Sequence, residues 1–438
     1  MPCRERQREA RRRKTHGKVF LAVREEGPIR EERRKKMFAI RKVNQDIVYV
    51  GADDRRLELF ENMFPIERGV SYNAYVIKDE KTALLDTADA AVGRQFFENL
   101  EAALEGRSLD YLIVNHMEPD HCALIGEVLF RYQDVQIVTN AKSFQMISQF
   151  FDVALEESKK IVVKEGDELD LGKHKLTFVL APMVHWPEAM MTYDKTDKIL
   201  FSADAFGTFG TNDGRIFNDE TDYQADSFVQ DARRYYTNIV GKYGAQVQAV
   251  LKKAATLDIQ MLCPLHGPIW RTDLGFVLNL YQKWSTYEAE EQGVAVFYGS
   301  IYGNTESAVA ALVTRLADQG IHNIHAYDVS KTDISYLIAE TFKFPVIVLA
   351  SPTYNAGIFP KMENLLADMK ALNVQNKKVA VIENGTWAPT CAKAITEKLG
   401  ELKNVELIGE KLTIKSSLRD EEALKQMVAA IAEAVKES

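Results

Sequence analysis

The sequence predicts a two-domain α/β protein whose second domain is a doubly wound parallel sheet. Three observations carry this. At 438 residues the chain is too long for one ordinary core, and its 46% hydrophobic content is what a globular chain needs to bury two. From Ile47 onward, short strand-like runs each end in a loop rich in His, Asp, Gly or Pro. From Gly293 onward strands and helices alternate regularly, which implies parallel strands joined by right-handed crossovers.

Composition narrows the class. The longest apolar stretches, such as Phe344 to Ala350, are strand-length and fall short of the roughly 20 residues that cross a bilayer, so no membrane span is expected. Four cysteines (Cys3, Cys122, Cys263, Cys391) show no C-x-x-C spacing, which argues against a disulfide framework, a zinc ribbon or a cysteine-ligated cluster and for a reducing, cytoplasmic compartment. The net charge of −8 is asymmetric: residues 1–36 carry 14 Lys or Arg against 6 Asp or Glu, leaving the rest at −16. An acidic body does not suit nonspecific nucleic-acid binding, which relies on Lys and Arg against phosphates. The leader's six Glu do not fit a targeting peptide, so residues 1–36 are expected to be a disordered appendage or upstream translated sequence, with the working chain starting near Met37.

The first domain is expected over residues 37–291. IVYVGADDRRLELF and YNAYVIKDEKTALLDT each read as two strands around a polar turn, and GRQFFENLEAAL has helical spacing. Strand runs recur at YLIVN, VQIVT, KLTFVLAP, KILFSAD and IQMLCP, each followed by residues with ligand chemistry, the place where α/β folds put sites. Helices are expected from about Asp226 to Ala255 and over LGFVLNLYQKWSTYEAE. The second domain, 292–438, reads VAVFYGS, ESAVAALVTRLADQG, NIHAYDV, PVIVLASP, PKMENLLADMKAL, KKVAVIENG and a closing helix.

A metal constellation stands at strand ends of the first domain. His116, Glu118, Asp120 and His121 form an H-x-E-x-D-H motif after YLIV. If the chain stays extended, His116, Glu118 and Asp120 point to one side, and Pro119 keeps Glu118 out of the α region. His185, Asp204 and His266 end later strands. A lone histidine is more often a satisfied polar residue than a ligand, but here four of the chain's eight histidines fall in this motif or in strand-end loops. The set is too rich for one ion, and Asp204 is the carboxylate nominated to bridge two metals about 3.5 Å apart.

On these residues the first domain resembles the metallo-β-lactamase superfamily, with its αββα sandwich, and within it the flavodiiron proteins. Zinc hydrolases of that superfamily usually read H-x-H-x-D-H. Glu118 in place of the second histidine is a hard donor that favours iron and redox chemistry over zinc and hydrolysis. The resemblance covers the chain from about Met37. It implies that His116, Glu118 and His185 bind one iron, that Asp120 and His266 bind the other, and that Asp204 bridges them. It leaves His121 open, since the equivalent histidine is a ligand in some members and stands off in others. Glu188 after HWP and Cys122 after His121 depart from the commoner Asp and Ser.

The second domain opens with a strand and then Ser300, Ile301, Tyr302, Gly303, Asn304 and Thr305, directly before a helix. Backbone N–H groups and small polar side chains at a helix start cradle a phosphate, and the absence of G-x-x-x-x-G-K-[ST] excludes a P-loop. Two later strand-end loops offer ring contacts: Pro352, Thr353, Tyr354, Asn355 and Gly357 in one, Asn384, Gly385 and Trp387 in the other. Tyr354 and Trp387 are placed to stack on or flank a flavin ring. The domain resembles short-chain flavodoxins, and FMN is the expected cofactor.

Two ferrous ions and a reduced FMN together hold the electrons to reduce O₂ to water, or two NO to N₂O and water. Tyr72 and Trp186 are candidates for the pocket wall. The resemblance implies a head-to-tail homodimer, or a dimer of such dimers. It also implies an external donor, because the sequence given ends at Ser438 with no rubredoxin or reductase extension. A rubredoxin is the first expectation, a reductase or the reduced deazaflavin of methanogens the alternative. The competing readings are a zinc hydrolase fused to a flavodoxin, and a redox carrier or sensor.

Overall fold

The computed structural model describes residues 37–152 and 155–438, so the expectation for residues 1–36 lies outside the described residues. Its first sheet has seven strands in chain order: β1 (Arg41–Lys42), β2 (Ile47–Tyr49), β3 (Tyr75–Lys78), β4 (Thr82–Leu85), β5 (Tyr111–Ile113), β6 (Gln136–Thr139) and β7 (Lys160–Val162). Neighbours are antiparallel from β1 to β4 and parallel from β4 to β7. The second sheet comprises β8 (Glu168–Asp170), β9 (Lys175–Leu180), β10 (Met190–Asp194), β11 (Ile199–Phe201) and β12 (Met261–Cys263), antiparallel except for the parallel β11–β12 pair.

The two-residue side-chain period of these strands builds the layers. Ile47, Tyr49, Tyr75, Ile77, Leu85, Ile113 and Val138 of the first sheet share one buried cluster with Leu176, Phe178, Met190, Ile199 and Phe201 of the second, so the inner faces pack on each other. The alternate residues Val48, Val76, Leu84, Leu112 and Ile137 turn outward and join Phe96, Phe97 and Leu100 of the helix Gly93–Leu104. On the far side Val179, Met191, Leu200 and Leu262 join Tyr235, Val247 and Val250. This is the αββα order.

The third sheet holds β13 (Val294–Tyr298), β14 (Ile324–Asp328), β15 (Val346–Tyr354), β16 (Lys377–Asn384) and β17 (Val405–Leu407), all parallel along the path β14-β13-β15-β16-β17. Val294, Val296, Val346, Val348, Ala380 and Ile382 face the helices Asn304–Asp318 and Glu421–Lys436. Ala295, Phe297, Ile347, Leu349 and Val379 face Ile334–Lys343 and Pro360–Ala371. Helices on both faces make the sheet doubly wound, and its strand order reverses between β13 and β15, where such sheets open a ligand crevice. No helix among the described residues is long and apolar enough to cross a membrane.

One expectation fails locally. The run from Ile47 to Phe60 forms three short strands with separate partners, not a hairpin: β2 pairs β1 and β3, Ala52–Asp54 pairs Val70–Tyr72, and Leu59–Phe60 pairs Phe64–Pro65. Gly51 lets the chain cross here, because a Cβ at that position would lie 2.3 Å from the Tyr72 carbonyl oxygen.

A buried ion network ties the lower end of the sandwich. His174, fully buried, places Nδ1 2.7 Å from Asp194 Oδ2 and Nε2 3.3 Å from Asp46 Oδ2. Burial alone opposes charge on the ring, but the two carboxylates outweigh it and raise the pKa. The contribution of a raised histidine is complete below its unfolded pKa of about 6.5 and is lost as pH rises through the folded value. Replacing His174 by Gln strands the buried Asp194 charge and is expected to cost about 3 kcal/mol near pH 6, with the gap to the native chain narrowing above pH ~7. Denaturant midpoints measured across pH test this, and a gap that does not change with pH contradicts a charged His174.

Candidate metal centre and flavin pocket

Beyond β5 the chain reaches Glu118 in an extended conformation (φ −67°, ψ 139°), and Pro119 then starts the helical turn Pro119–Cys122. The expectation that His116, Glu118 and Asp120 share one side of an extended segment therefore fails at Asp120. Proline bars Glu118 from the α region but is itself favoured in the first turn of a helix. The extended part aims His116 and Glu118 at one donor set, and the turn swings Asp120 and His121 into another.

The structure brings all seven predicted residues together. In the first set His116 Nε2, His185 Nε2, Glu118 Oε2 and Asp204 Oδ2 converge, with His116–Glu118 at 3.3 Å, His185–Glu118 at 2.9 Å and each histidine 3.1 Å from Asp204. In the second, His121 Nε2 lies 3.3 Å from Asp120 Oδ2 and 3.2 Å from Asp204 Oδ1, and His266 Nε2 stands 3.3 Å and 3.6 Å from the same two atoms. The two Nε2 atoms face each other at 3.0 Å. Donors bound at ~2.0–2.2 Å to one ion, in tetrahedral or octahedral array, are about 3–3.5 Å apart, so both sets have the spacing of a first-row metal site. Asp204 offers one oxygen to each.

The orientation of the rings is fixed from behind. His116 Nδ1 donates to Glu188 Oε1 at 2.9 Å, and that oxygen also accepts the Met117 N–H. His266 Nδ1 donates to the Ser71 carbonyl at 2.8 Å. In each ring the Nε2 lone pair is thereby turned to the cluster, as metal-bound imidazoles require. Asp86 accepts the Asn115 N–H at 2.7 Å and the Asn115 side chain at 2.8 Å, pinning the strand end before His116.

The charges fit bound cations. Both carboxylate oxygens of Asp120 and of Asp204, and Nδ1 of His121, are buried with no hydrogen-bond partner. Burial and neighbouring carboxylates push Asp120 up to about 7. For His185 burial opposes the charge, yet Asp204 and Glu118 hold its pKa up at about 9. Buried polar atoms are normally satisfied, so orphaned oxygens among imidazoles mark a place for positive charge. A third grouping, His174, Asp194 and Asp197, lies at the opposite end of the β9–β10 hairpin, and there both histidine nitrogens already have carboxylate partners.

Aromatic rings wall the centre. Tyr72 stands 6.3 Å from the His121 ring and 5.8 Å from His266, and Trp186 stands 5.5 Å from His116. Sequence reasoning missed three groups here. Phe60 packs edge-on to His266 at 5.6 Å. Tyr235 lies 5.4 Å from His266, and its buried hydroxyl has no partner; burial and then Asp204 hold its pKa well above the ordinary value. For Glu61, in the turn after Phe60, burial and then the nearby Glu118 charge raise the pKa to about 8. No motif marks Glu61 or Tyr235. Cys122 is buried with its thiol on the Met117 carbonyl at 3.2 Å.

The flavin loops gather at the C-terminal ends of β13, β15 and β16, around a cavity of about 420 Å³, a size that holds a cofactor of this class. Ser300, Ile301, Tyr302, Asn304, Thr305, Pro352, Thr353, Asn355, Asn384, Gly385 and Trp387 line it as expected. Gly303, Tyr354 and Gly357 do not. Gly303 (φ 88°) turns the backbone into the helix, and Tyr354 and Gly357 pair in a small hairpin that directs Tyr354 towards Phe359. Ser416 joins the lining from a loop that carries no sequence signal. Asn384 holds that loop, accepting the Ser416 N–H at 3.1 Å and donating to the Ser416 carbonyl at 3.1 Å. At the helix start the Ser300 hydroxyl accepts the Gly303 N–H at 3.1 Å and the Glu306 N–H at 3.3 Å, and Trp387 is 90% exposed, not packed as core.

A family model described as ODP family beta lactamase matches residues 70–267. An anaerobic nitric oxide reductase flavorubredoxin of Vibrio vulnificus is 32% identical over 355 residues, 79% of this chain and 70% of that protein. An uncharacterized protein of Methanocaldococcus jannaschii is 29% identical over 86% of this chain and 94% of its own. The solved rubredoxin oxygen:oxidoreductase of Desulfovibrio gigas superposes with a TM-score of 0.84 at 26% identity, covering 91% of this chain and 99% of that one. With such likeness running through the sandwich and the third sheet alike, the chain belongs to the flavodiiron protein family.

Proposed function

We propose that this protein reduces a diatomic oxidant, O₂ to water or NO to N₂O, at two irons held in the sandwich, with FMN held by the third sheet. The observation that carries the reading is the pair of buried donor sets sharing Asp204, with its two oxygens unpartnered and turned to different sets. His116, Glu118 and His185 would hold one iron and Asp120, His121 and His266 the other, with Asp204 between. His121 is assigned as a ligand because its Nε2 sits among Asp120, Asp204 and His266 at 3.0–3.3 Å. Residues 37–291 and 292–438 are proposed as the two working units, since the third sheet begins at Val294.

Bound there, two irons and a reduced FMN supply Lewis acidity and the electrons: four with four protons for O₂ to two waters, or two with two protons for two NO to N₂O and water. The chain's own residues do the rest. Phe60, Phe209, Tyr72 and Trp186 exclude bulk water around the histidines. Glu188 and the Ser71 carbonyl hold the Nδ1 protons of His116 and His266. Tyr235 keeps its phenolic proton within a wall of the centre and is the group placed to donate it to an oxygen of the reacting gas. Electrons are proposed to arrive from an external rubredoxin-type donor. The exposed Tyr302 and Trp387 beside the flavin cavity suit cover by a second copy of the chain in a head-to-tail dimer.

Supplied with iron, FMN and excess reduced donor, the chain is expected to consume O₂ or NO, measured with gas electrodes on one preparation. Loss of neither gas overturns the proposal, and the faster gas names the substrate. Tyr235→Phe, which removes only an unpartnered hydroxyl, is expected to fold normally and to slow turnover by roughly 10²-fold, the scale of one positioned proton donor. Unchanged turnover removes Tyr235 from the mechanism. Trp387→Ala is expected to weaken FMN binding about tenfold in a flavin-fluorescence titration, and unaltered affinity would mean that the ring does not touch the flavin.

A further inference from the structure

The loop that carries Trp387 has no packing at its crest. Residues 386–388 are exposed, so the place of the indole is decided by the two ends of the loop. The loop leaves β16 at Asn384 and enters the helix Cys391–Leu399. It closes tightly, since a Cβ on Gly385 would lie 2.8 Å from the Pro389 Cα. Glu383, the residue before Asn384, is fully buried and joins the two ends: its Oε2 accepts the Ala392 N–H at 3.0 Å. Its Oε1 accepts the Thr413 hydroxyl at 2.9 Å and the Lys411 ammonium, and so holds the short strand Leu412–Ile414 beside β16. Burial opposes charge on Glu383, yet Lys411, the Ala392 amide and Thr413 outweigh it and lower the pKa. The carboxylate is therefore ionised at neutral pH, and the helix N-terminus that it faces favours an anion. The Thr390 and Cys391 N–H groups at the same helix start go to the Thr353 hydroxyl at 3.0 and 3.3 Å, which pins the loop to β15 as well. Glu383 itself does not line the flavin cavity.

We infer that Glu383 is the positioning residue of the flavin pocket: its carboxylate ties both ends of the 384–391 loop and thereby sets where Trp387 lies against the flavin ring. The inference rests on the FMN reading of the cavity. An exposed loop that must be ordered when a ligand binds lowers the affinity by the entropy of its ordering. With its ends clasped by a buried carboxylate, the loop is ordered on folding instead, and the indole is in place before the cofactor arrives. Glu383 acts through Trp387, so its removal and the removal of the indole are not independent.

The test titrates the full-length, FMN-free chain with FMN and follows flavin fluorescence, alongside amide hydrogen exchange. Glu383→Ala is expected to weaken FMN binding about tenfold, as Trp387→Ala does, and to speed exchange in residues 384–391 while leaving the helix Asn304–Asp318 unchanged. Glu383→Gln keeps an oxygen for the Ala392 N–H and is expected to bind FMN within about twofold of the native chain. Added to Trp387→Ala, Glu383→Ala is expected to weaken binding by less than about twofold more. Native affinity in Glu383→Ala overturns the inference while the FMN reading stands. Exchange that rises throughout the chain in Glu383→Ala also overturns it, because Glu383 then holds the fold and not the loop. So does a Gln variant as weak as the Ala variant, or a full further tenfold loss in the double variant. A native chain that binds no FMN overturns the FMN reading itself.

Discussion

Asp204 imposes the condition that the rest of the first half of the chain satisfies. Its carboxylate is 1% exposed, and neither oxygen receives a hydrogen bond. An unpaired buried carboxylate costs several kcal/mol after all relaxation, and a protein keeps one only where compensating positive charge binds. Four imidazoles and two more carboxylates surround it, and the two rings with assigned tautomers turn a lone pair inwards. The histidines' Nδ1 protons are committed to Glu188 and Ser71, so these rings have no proton left with which to satisfy Asp204 while neutral. Metal ions on either side of the carboxylate would resolve the conflict.

The two packed sheets make that arrangement reproducible. The first sheet delivers His116, Glu118, Asp120 and His121; the second delivers His185, Asp204 and His266. Their separation is set by the inner core, and buried hydrogen bonds lock it. Asn73 donates to the Pro264 and Gly267 carbonyls at 2.9 and 2.8 Å, Tyr75 donates to Pro264 at 2.8 Å, and Tyr49 donates to Asn73 at 3.1 Å. The His266 loop thus hangs from the first sheet although it follows a strand of the second. A cavity in this core would move ligands by ångströms, and a shift of that size is enough to abolish a metal site.

Much of this was legible in the sequence, for a specific reason. Each ligand follows a short apolar run, and strand ends are where extended backbone releases side chains into a crevice, so His116, His185, Asp204 and His266 were exposed to simple reading. The same logic found the three flavin loops. It failed where local geometry overrode periodicity: Pro119 ended the extension it was expected to maintain, and the small hairpin of Tyr354 and Gly357 turned them from the cavity. Glu61, Tyr235 and Ser416 were invisible because long-range packing, not a motif, brings them in. Glu188 was noticed only as an unusual residue, and its partner, the His116 Nδ1 proton, belongs to a loop 72 residues away.

The central claim is a pair of iron ions joined through Asp204. Its most direct test is Mössbauer spectroscopy of the oxidised, ⁵⁷Fe-loaded chain together with its iron count. Two irons per chain in an antiferromagnetically coupled pair, lost in Asp204→Asn without loss of the fold, is the result this account predicts. A single or uncoupled iron, or a centre that accepts zinc and refuses iron, would contradict it.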